Sequence, residues 1–198
     1  MRLDLLEPPD SSDAVVELTE AGEHMRVDTE EEGLAVARMI RAATQVFEEE
    51  TGRQILTAKW RLYLRRFPLE REPIRIPKPP LQQIDQIQYL DPSGNLETWD
   101  PSEYTVIAPS GPFARHGVVF PAPGHVYPSC RWADDGVRVD FTAGWGTSNA
   151  TPESVRDAIL AIATGLYEFR EPMFVATVST ANRSFERLLA RHRLPVMA

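Results

Sequence analysis

Cysteine and long apolar runs are both scarce in this sequence of 198 residues. Its single cysteine, Cys130, excludes an internal disulfide, so nothing in the chain requires an oxidising compartment. The longest apolar run, residues 158–163, is far shorter than the roughly 18 residues of a membrane span. The first residues, MRLDLLEPPD, mix acids with prolines, whereas a secretory signal has a basic patch followed by an apolar run. We therefore expect an intracellular protein with no membrane partner.

Positive charge is also in deficit, with 21 Lys and Arg against 29 Asp and Glu, a formal net charge of -8. A chain of this sign repels phosphate backbones, so sequence-specific DNA binding is disfavoured. Residues 1–51 hold 14 acids and 4 bases, and the remainder holds 15 and 17. This polarity suits a subunit that packs head to tail against its own copies, although solvated acidic tails produce the same distribution.

Two segments have the pattern of long amphipathic helices. Residues 29–51 begin with glutamates that favour the positive helix N-terminus, and Gly52 follows as a left-handed stop. Residues 152–170 follow Thr151, a residue type that caps helices, and their apolar positions form one stripe. A shorter helix is predicted over residues 17–27.

In the region between these helices, residues 54–143, apolar residues recur with a different period. Apolar and polar side chains alternate over residues 55–67, which predicts a half-buried strand. Of the 17 prolines, 12 lie from Pro68 to Pro128 and keep the strands short, because proline cannot donate to a β ladder. Further strands are predicted over residues 84–90, 96–99, 104–107, 117–120 and 137–142. The predicted fold class is α+β, with a helical core of two long amphipathic helices plus short helices and an inserted proline-rich antiparallel β region.

The predicted domain organisation has three parts. Residues 1–16 form an extended N-terminal arm, residues 17–172 form a single domain, and residues 173–198 form a C-terminal segment. A chain of this length can bury roughly 70% of its unfolded surface, so one domain can have a full hydrophobic core.

Catalytic and metal-binding patterns are not found. The four histidines, His24, His116, His125 and His192, are too far apart for a zinc motif, and no serine lies in a nucleophile elbow. Cys130 has no motif around it. We therefore predict no catalytic residue, no metal and no cofactor, and hence no enzyme.

Two segments, one basic and one acidic, contain the candidate subunit-interface residues. Lys59, Arg61 and Arg65 make one face of the predicted strand basic. This face could contact nucleic acid or the acidic end of the long helix, and pairing within the chain or between subunits is the favoured use. The acidic residues concerned are Glu48, Glu49 and Glu50.

The C-terminal segment combines arginines with leucines. Exposed together, these side chains would form a docking peptide; a frayed surface helix explains the same residues equally well. The candidate docking residues are Arg183, Arg187, Leu188, Leu189, Arg191, Arg193, Leu194 and Pro195.

Several short strings occur in an order and spacing that resemble one family. They are LTEA (residues 18–21), HMRVD (24–28), ETGR (50–53), WRL (60–62), PKPPL (77–81) leading into residues 84–89, VRVDFTAGWG (137–146) and TPE (151–153). Together they resemble the head-tail connector, or adaptor, proteins of tailed bacteriophages and phage-derived gene-transfer agents, over most of the chain.

This resemblance implies a structural adaptor at the neck of a phage or gene-transfer-agent particle, assembled in the bacterial cytoplasm. Such a chain forms a ring, expected as a dodecamer, that joins the portal of a DNA-filled head to a tail or stopper protein. It continues the DNA channel without sequence-specific DNA binding. The C-terminal segment would dock on the portal.

Two other functions stay open at this stage. One is a small enzyme whose site is built from residues far apart in the sequence. The other is a β-rich ligand-binding module in which Trp99, Trp132 and Trp145 act as stacking platforms.

Overall fold

The computed structural model describes residues 1–10, 13–169 and 183–194. The chain forms two compact units. The strand unit comprises residues 1–9, 57–110 and 114–144, and the helix unit comprises the described residues of 10–56, 111–113 and 145–198. Each unit has its own cluster of buried apolar side chains.

The strand unit contains two antiparallel sheets. The first has the order β1-β2-β8-β4-β5, and the second has the order β3-β7-β6. The strands are β1 (Arg2–Glu7), β2 (Ala58–Leu64), β3 (Ile74–Ile76), β4 (Leu81–Leu90), β5 (Leu96–Thr98), β6 (Tyr104–Ile107), β7 (Gly117–Pro121) and β8 (Val137–Ala143).

Strand β8 lies in the middle of the larger sheet, and its sequence explains why. Val137, Val139 and Phe141 alternate along one face and are fully buried, as a central strand requires. The aromatic rings of the same core gather around Trp99, whose ring centroid lies 5.3 Å from that of Phe67. The strand unit therefore has a densely packed core of its own.

The helix unit contains α1 (Leu18–Met25), α2 (Thr29–Thr51), α3 (Glu153–Phe169) and α4 (Arg183–His192). Helix α2 starts where the Asp28 carboxylate accepts the Glu30 N–H at 2.9 Å, and it ends at Gly52, whose φ is 72°. Buried apolar side chains of α2 and α3, such as Phe47 and Ile159, fill the core. These buried side chains lie on the helix faces that the spacing of apolar residues predicts.

The predicted fold class is wrong. The chain is mixed, and its described residues include eight strands in two sheets, so the β region is a body with its own core rather than an insertion in a helical core. Helices α2 and α3 form one long pair that organises the helix unit alone. Most of these strands were predicted, but prolines keep them short and separate, and the sequence does not show that they pair into two sheets with a core of their own.

Candidate functional site

The basic face of β2 is neutralised across the sheet. Arg61 lies opposite Asp4 on β1 and Asp140 on β8. Its guanidinium donates two hydrogen bonds to the Asp140 carboxylate, at 2.5 Å from Nε and 2.7 Å from Nη2. Gln86 donates a third at 2.8 Å. The fork geometry gives a bidentate pair that runs along one row of the sheet.

Burial and hydrogen bonding act in opposite directions on Asp140. Only 10% of its side chain is exposed, and this burial works to raise the pKa of the carboxyl. The hydrogen bonds from Arg61 and Gln86, with the nearby guanidinium charges, outweigh burial and hold that pKa below its usual value. The same pair raises the pKa of Arg61. Asp140 is therefore ionised, and its carboxylate accepts its hydrogen bonds from within the sheet.

The other two basic residues of the predicted interface also have partners within the strand unit. The Lys59 ammonium lies 3.0 Å from the Glu7 carboxylate, and Arg65 Nε lies 3.1 Å from Asp134 Oδ1. Both pairs are largely exposed, so each contributes little to stability.

The acidic end of α2 also has partners, within the helix unit. Glu48 accepts the backbone N–H of Ile55 at 2.8 Å, which holds the turn that follows the helix. Glu49 accepts a bond from Gln45 at 2.9 Å, and Glu50 pairs with Arg193 at 2.5 Å. A subunit contact through these acids stays a prediction.

The C-terminal segment is anchored at the end of α4. Leu189 is buried in the helical core, whereas Arg191 and Arg193 are exposed and Leu194 is half-buried. Beyond the helix, the Leu194 N–H donates to Thr51 O at 3.4 Å. Three further candidates, Arg183, Arg187 and Leu188, belong to α4 by their backbone, and Pro195 lies outside the described residues. Docking by this segment stays a prediction.

His192 is a site that sequence reasoning missed, because a lone histidine carries no motif. Its side chain packs between Phe47, with ring centroids 5.5 Å apart, and Phe113 at 5.3 Å. The backbone carbonyl of His192 accepts the Arg53 Nε–H at 2.7 Å. Burial and the positive charge of Arg53 lower the pKa of the imidazole. His192 is thus a neutral core residue that holds the end of α4 against α2.

Metal-ligating groups do not cluster in the part of the chain that the structure describes: no three His, Cys, Asp or Glu side chains are placed to hold an ion. None of the helices described is long and apolar enough to cross a membrane. Of the tryptophans considered as stacking platforms, Trp99 is a core residue, and Trp145 donates its Nε1–H to Gly111 O at 3.2 Å.

Exposed apolar side chains mark two surfaces. On the strand unit, Trp132 is 61% exposed and the Arg66 guanidinium lies over its ring, 5.0 Å from the centroid. On the helix unit, Leu34 of α2 is 91% exposed, the highest value among the large apolar side chains described. Leu34 and Arg66 were not named as functional candidates, whereas Trp132 was considered as a stacking platform, and only the structure shows that Leu34 and Trp132 are exposed.

The fold as a whole is similar to that of solved chains from gene-transfer-agent particles. No protein-family model matches the chain, and no curated protein sequence is similar to it. Similar solved structures include chains of a native gene-transfer-agent virion (TM-score 0.75), of the neck of an empty particle computed with C6 symmetry (0.72) and of the neck of a native particle computed with C12 symmetry (0.70). Each is 20% identical, and each match covers 100% of this chain and 98% of the other.

These structures confirm the predicted resemblance at the level of the fold. Because the match covers both chains almost entirely, it includes the strand unit and the helix unit together. The sequence strings that predicted it are distributed over the same two units.

Proposed function

We propose that this chain is a structural adaptor of a particle neck, whose copies form a closed ring between the portal of a DNA-filled head and the tail. The observation that carries the proposal is the full-length match to chains from gene-transfer-agent virions and necks. Two of those neck structures were computed with C6 and C12 symmetry, which supports a ring of identical subunits. The ring is expected to be a dodecamer.

The charge of the chain fits a conduit for DNA. A net charge of -8 in every subunit gives a ring that repels phosphate, so DNA can pass without being held. Two arginines support this interpretation, because Arg61 on β2 is paired with Asp140, and Arg65, just after β2, is paired with Asp134. The role is mechanical, and no side chain makes or breaks a bond.

Portal docking is assigned to the C-terminal end. Leu189 fixes α4 in the helical core, and both Arg191 and Arg193 beside it are exposed: Arg191 offers positive charge to a partner, and Arg193 is paired with Glu50 at 2.5 Å. The portal surface that receives them is expected to be acidic. Tail or stopper protein is expected at the opposite face of the ring.

Negative-stain images of the purified chain mixed with its portal protein test this function. Rings with an open centre that stack on the portal are expected. Single subunits that neither form rings nor bind the portal would refute the adaptor role, and turnover of a small molecule abolished by one substitution would replace it with an enzyme.

A further inference from the structure

The region around Trp132 in the strand unit is built as a rigid platform. The Ala133 N–H donates to Arg65 O at 3.2 Å, and the Arg131 N–H donates to Leu90 O at 2.9 Å. Gly136 is packed so tightly that a Cβ at this position would lie 2.4 Å from Arg65 O. The loop that carries Trp132 is therefore tied to the ends of β2 and β4.

This platform exposes the residue types that dominate protein interfaces. A tryptophan that is 61% exposed while its loop is fixed loses little conformational entropy on binding. The Arg66 guanidinium stacks on the ring, and the Asp134 carboxylate, 86% exposed, lies two residues further along the chain. The platform thus presents a cation and an aromatic ring to a partner, while the Asp134 carboxylate is paired with Arg65 at 3.1 Å.

The outer face of helix α2 carries an exposed leucine between an acidic and a basic side chain. Leu34 is 91% exposed. Glu31 and Arg38, three residues before and four residues after it, are exposed on the same side of the helix, since residues at these spacings are neighbours on a helix surface. This stripe thus presents an anion, an aliphatic side chain and a cation.

We propose that these two surfaces bind each other between neighbouring copies of this chain. In one subunit Trp132 packs on Leu34 of the next, and Arg66 pairs with Glu31. Because the two surfaces differ, the contact is heterologous, and repetition of a heterologous contact generates a ring when the rotation closes. The inference rests on the proposed ring and names the contact that builds it.

Charge and chemistry favour a second copy over other occupants. A nucleic acid would meet Asp134 and the net negative charge of the chain, which repel phosphate. A partner that matched only the tryptophan would leave the Arg66 guanidinium without a carboxylate, whereas α2 offers Leu34 to the ring and Glu31 to the guanidinium.

Half-site variants test the contact. Variant one carries Arg66→Glu and Trp132→Ala, which remove the platform; variant two carries Glu31→Arg and Leu34→Ala, which remove the stripe. Each alone is expected to need at least about tenfold more protein than the wild type to assemble. An equal mixture is expected to stop at dimers. The intact platform of variant two binds the intact stripe of variant one, and the two surfaces left over in that dimer are both mutated. Masses are measured with and without portal.

Two controls sharpen the result. Val126→Ala, at an apolar side chain that is 75% exposed in the strand unit, is expected to assemble like the wild type. A chain with both Arg66→Glu and Glu31→Arg is expected to recover assembly, since the charges are exchanged and still opposite. Circular dichroism confirms that every variant is folded.

The outcomes separate this contact from the adaptor function. Rings formed by variant one or variant two as readily as by the wild type would overturn the contact and leave the adaptor function standing. A mixture that stays monomeric would also overturn it. A wild-type chain that stays monomeric with and without portal would overturn the adaptor function itself.

Discussion

Arg61 and Asp140 face each other across β2 and β8, joined by two hydrogen bonds in the row that Gln86 completes. This pair shows how β2, with its two basic residues Lys59 and Arg61, is compatible with the proposed conduit for DNA. The guanidinium that would attract phosphate is already bound to a carboxylate held ionised beneath it. A bidentate pair at 2.5 and 2.7 Å also sets the register between the two strands.

Replacement of Arg61 by glutamine is expected to destabilise the strand unit. The change leaves the Asp140 carboxylate buried without its cation, which costs about 3 kcal/mol in the free energy of unfolding. Urea unfolding, followed by the fluorescence of the buried Trp99, measures this loss.

The matched control is Arg65→Gln, which breaks an exposed pair with Asp134. Because solvent screens that pair, its loss is expected to change stability far less. Equal losses in the two variants would show that the Arg61 pair has no special weight in the fold.

The stability of the helix unit is expected to fall in mild acid because of His192. Its pKa in the folded chain lies below the ordinary 6.5, so below pH 6.5 the unfolded chain binds a proton that the folded chain does not. The free energy of unfolding therefore has its full value at neutral pH. It decreases as the pH falls from 6.5 toward the lowered pKa of His192 in the folded chain. Arg53 and Arg191 increase this loss, because both oppose a charged imidazole.

Urea midpoints between about pH 8 and about pH 5 check the effect, with His192→Gln as the comparison. The glutamine variant has no titrating ring, so its midpoint is expected to vary less over this range. A wild-type curve parallel to that of the variant would assign the pH dependence to other groups.

The tryptophans are expected to separate into structural and surface residues. Trp99→Ala removes a ring that is buried among Phe67, Tyr104 and Tyr127 and is expected to cost about 4 kcal/mol. Trp132→Ala is expected to change the unfolding free energy of the single subunit by less than about 0.5 kcal/mol. Comparable losses at low protein concentration would place Trp132 in the core instead.

Portal binding is expected to depend on the exposed arginines at the C-terminal end. The double variant with Arg191→Glu and Arg193→Glu is expected to bind the portal protein more slowly, and added salt is expected to slow the wild type toward it. Surface plasmon resonance at several salt concentrations measures both effects. Binding that is indifferent to salt and to these substitutions would move the docking site elsewhere.

Local patterns in the sequence were informative where a segment carries its own signals. Helix α2 spans Thr29–Thr51, the range that the acidic first turn and Gly52 predict, because a helix cap acts within a few residues. Strand β2 lies inside the alternating segment 55–67 for a similar reason. The short strings also predicted the fold resemblance, which the comparisons confirmed.

Features that depend on distant residues could not be predicted in this way. Strands β1 and β3 were not among the predicted strands, since acids and prolines dominate their surroundings and their pairing partners are remote in sequence. The buried site of His192 depends on Phe113, almost 80 residues away in the chain. The partition of the protein into two cores follows from such contacts, and this is why the fold class was wrong.

Native mass spectrometry of the purified chain, alone and mixed with its portal protein, tests the adaptor account most directly. A discrete assembly is expected, whose mass is a whole-number multiple of 22.3 kDa, with twelve copies as the expected number. A mass of one subunit in both samples, or a ladder of open chains with no preferred size, would contradict it.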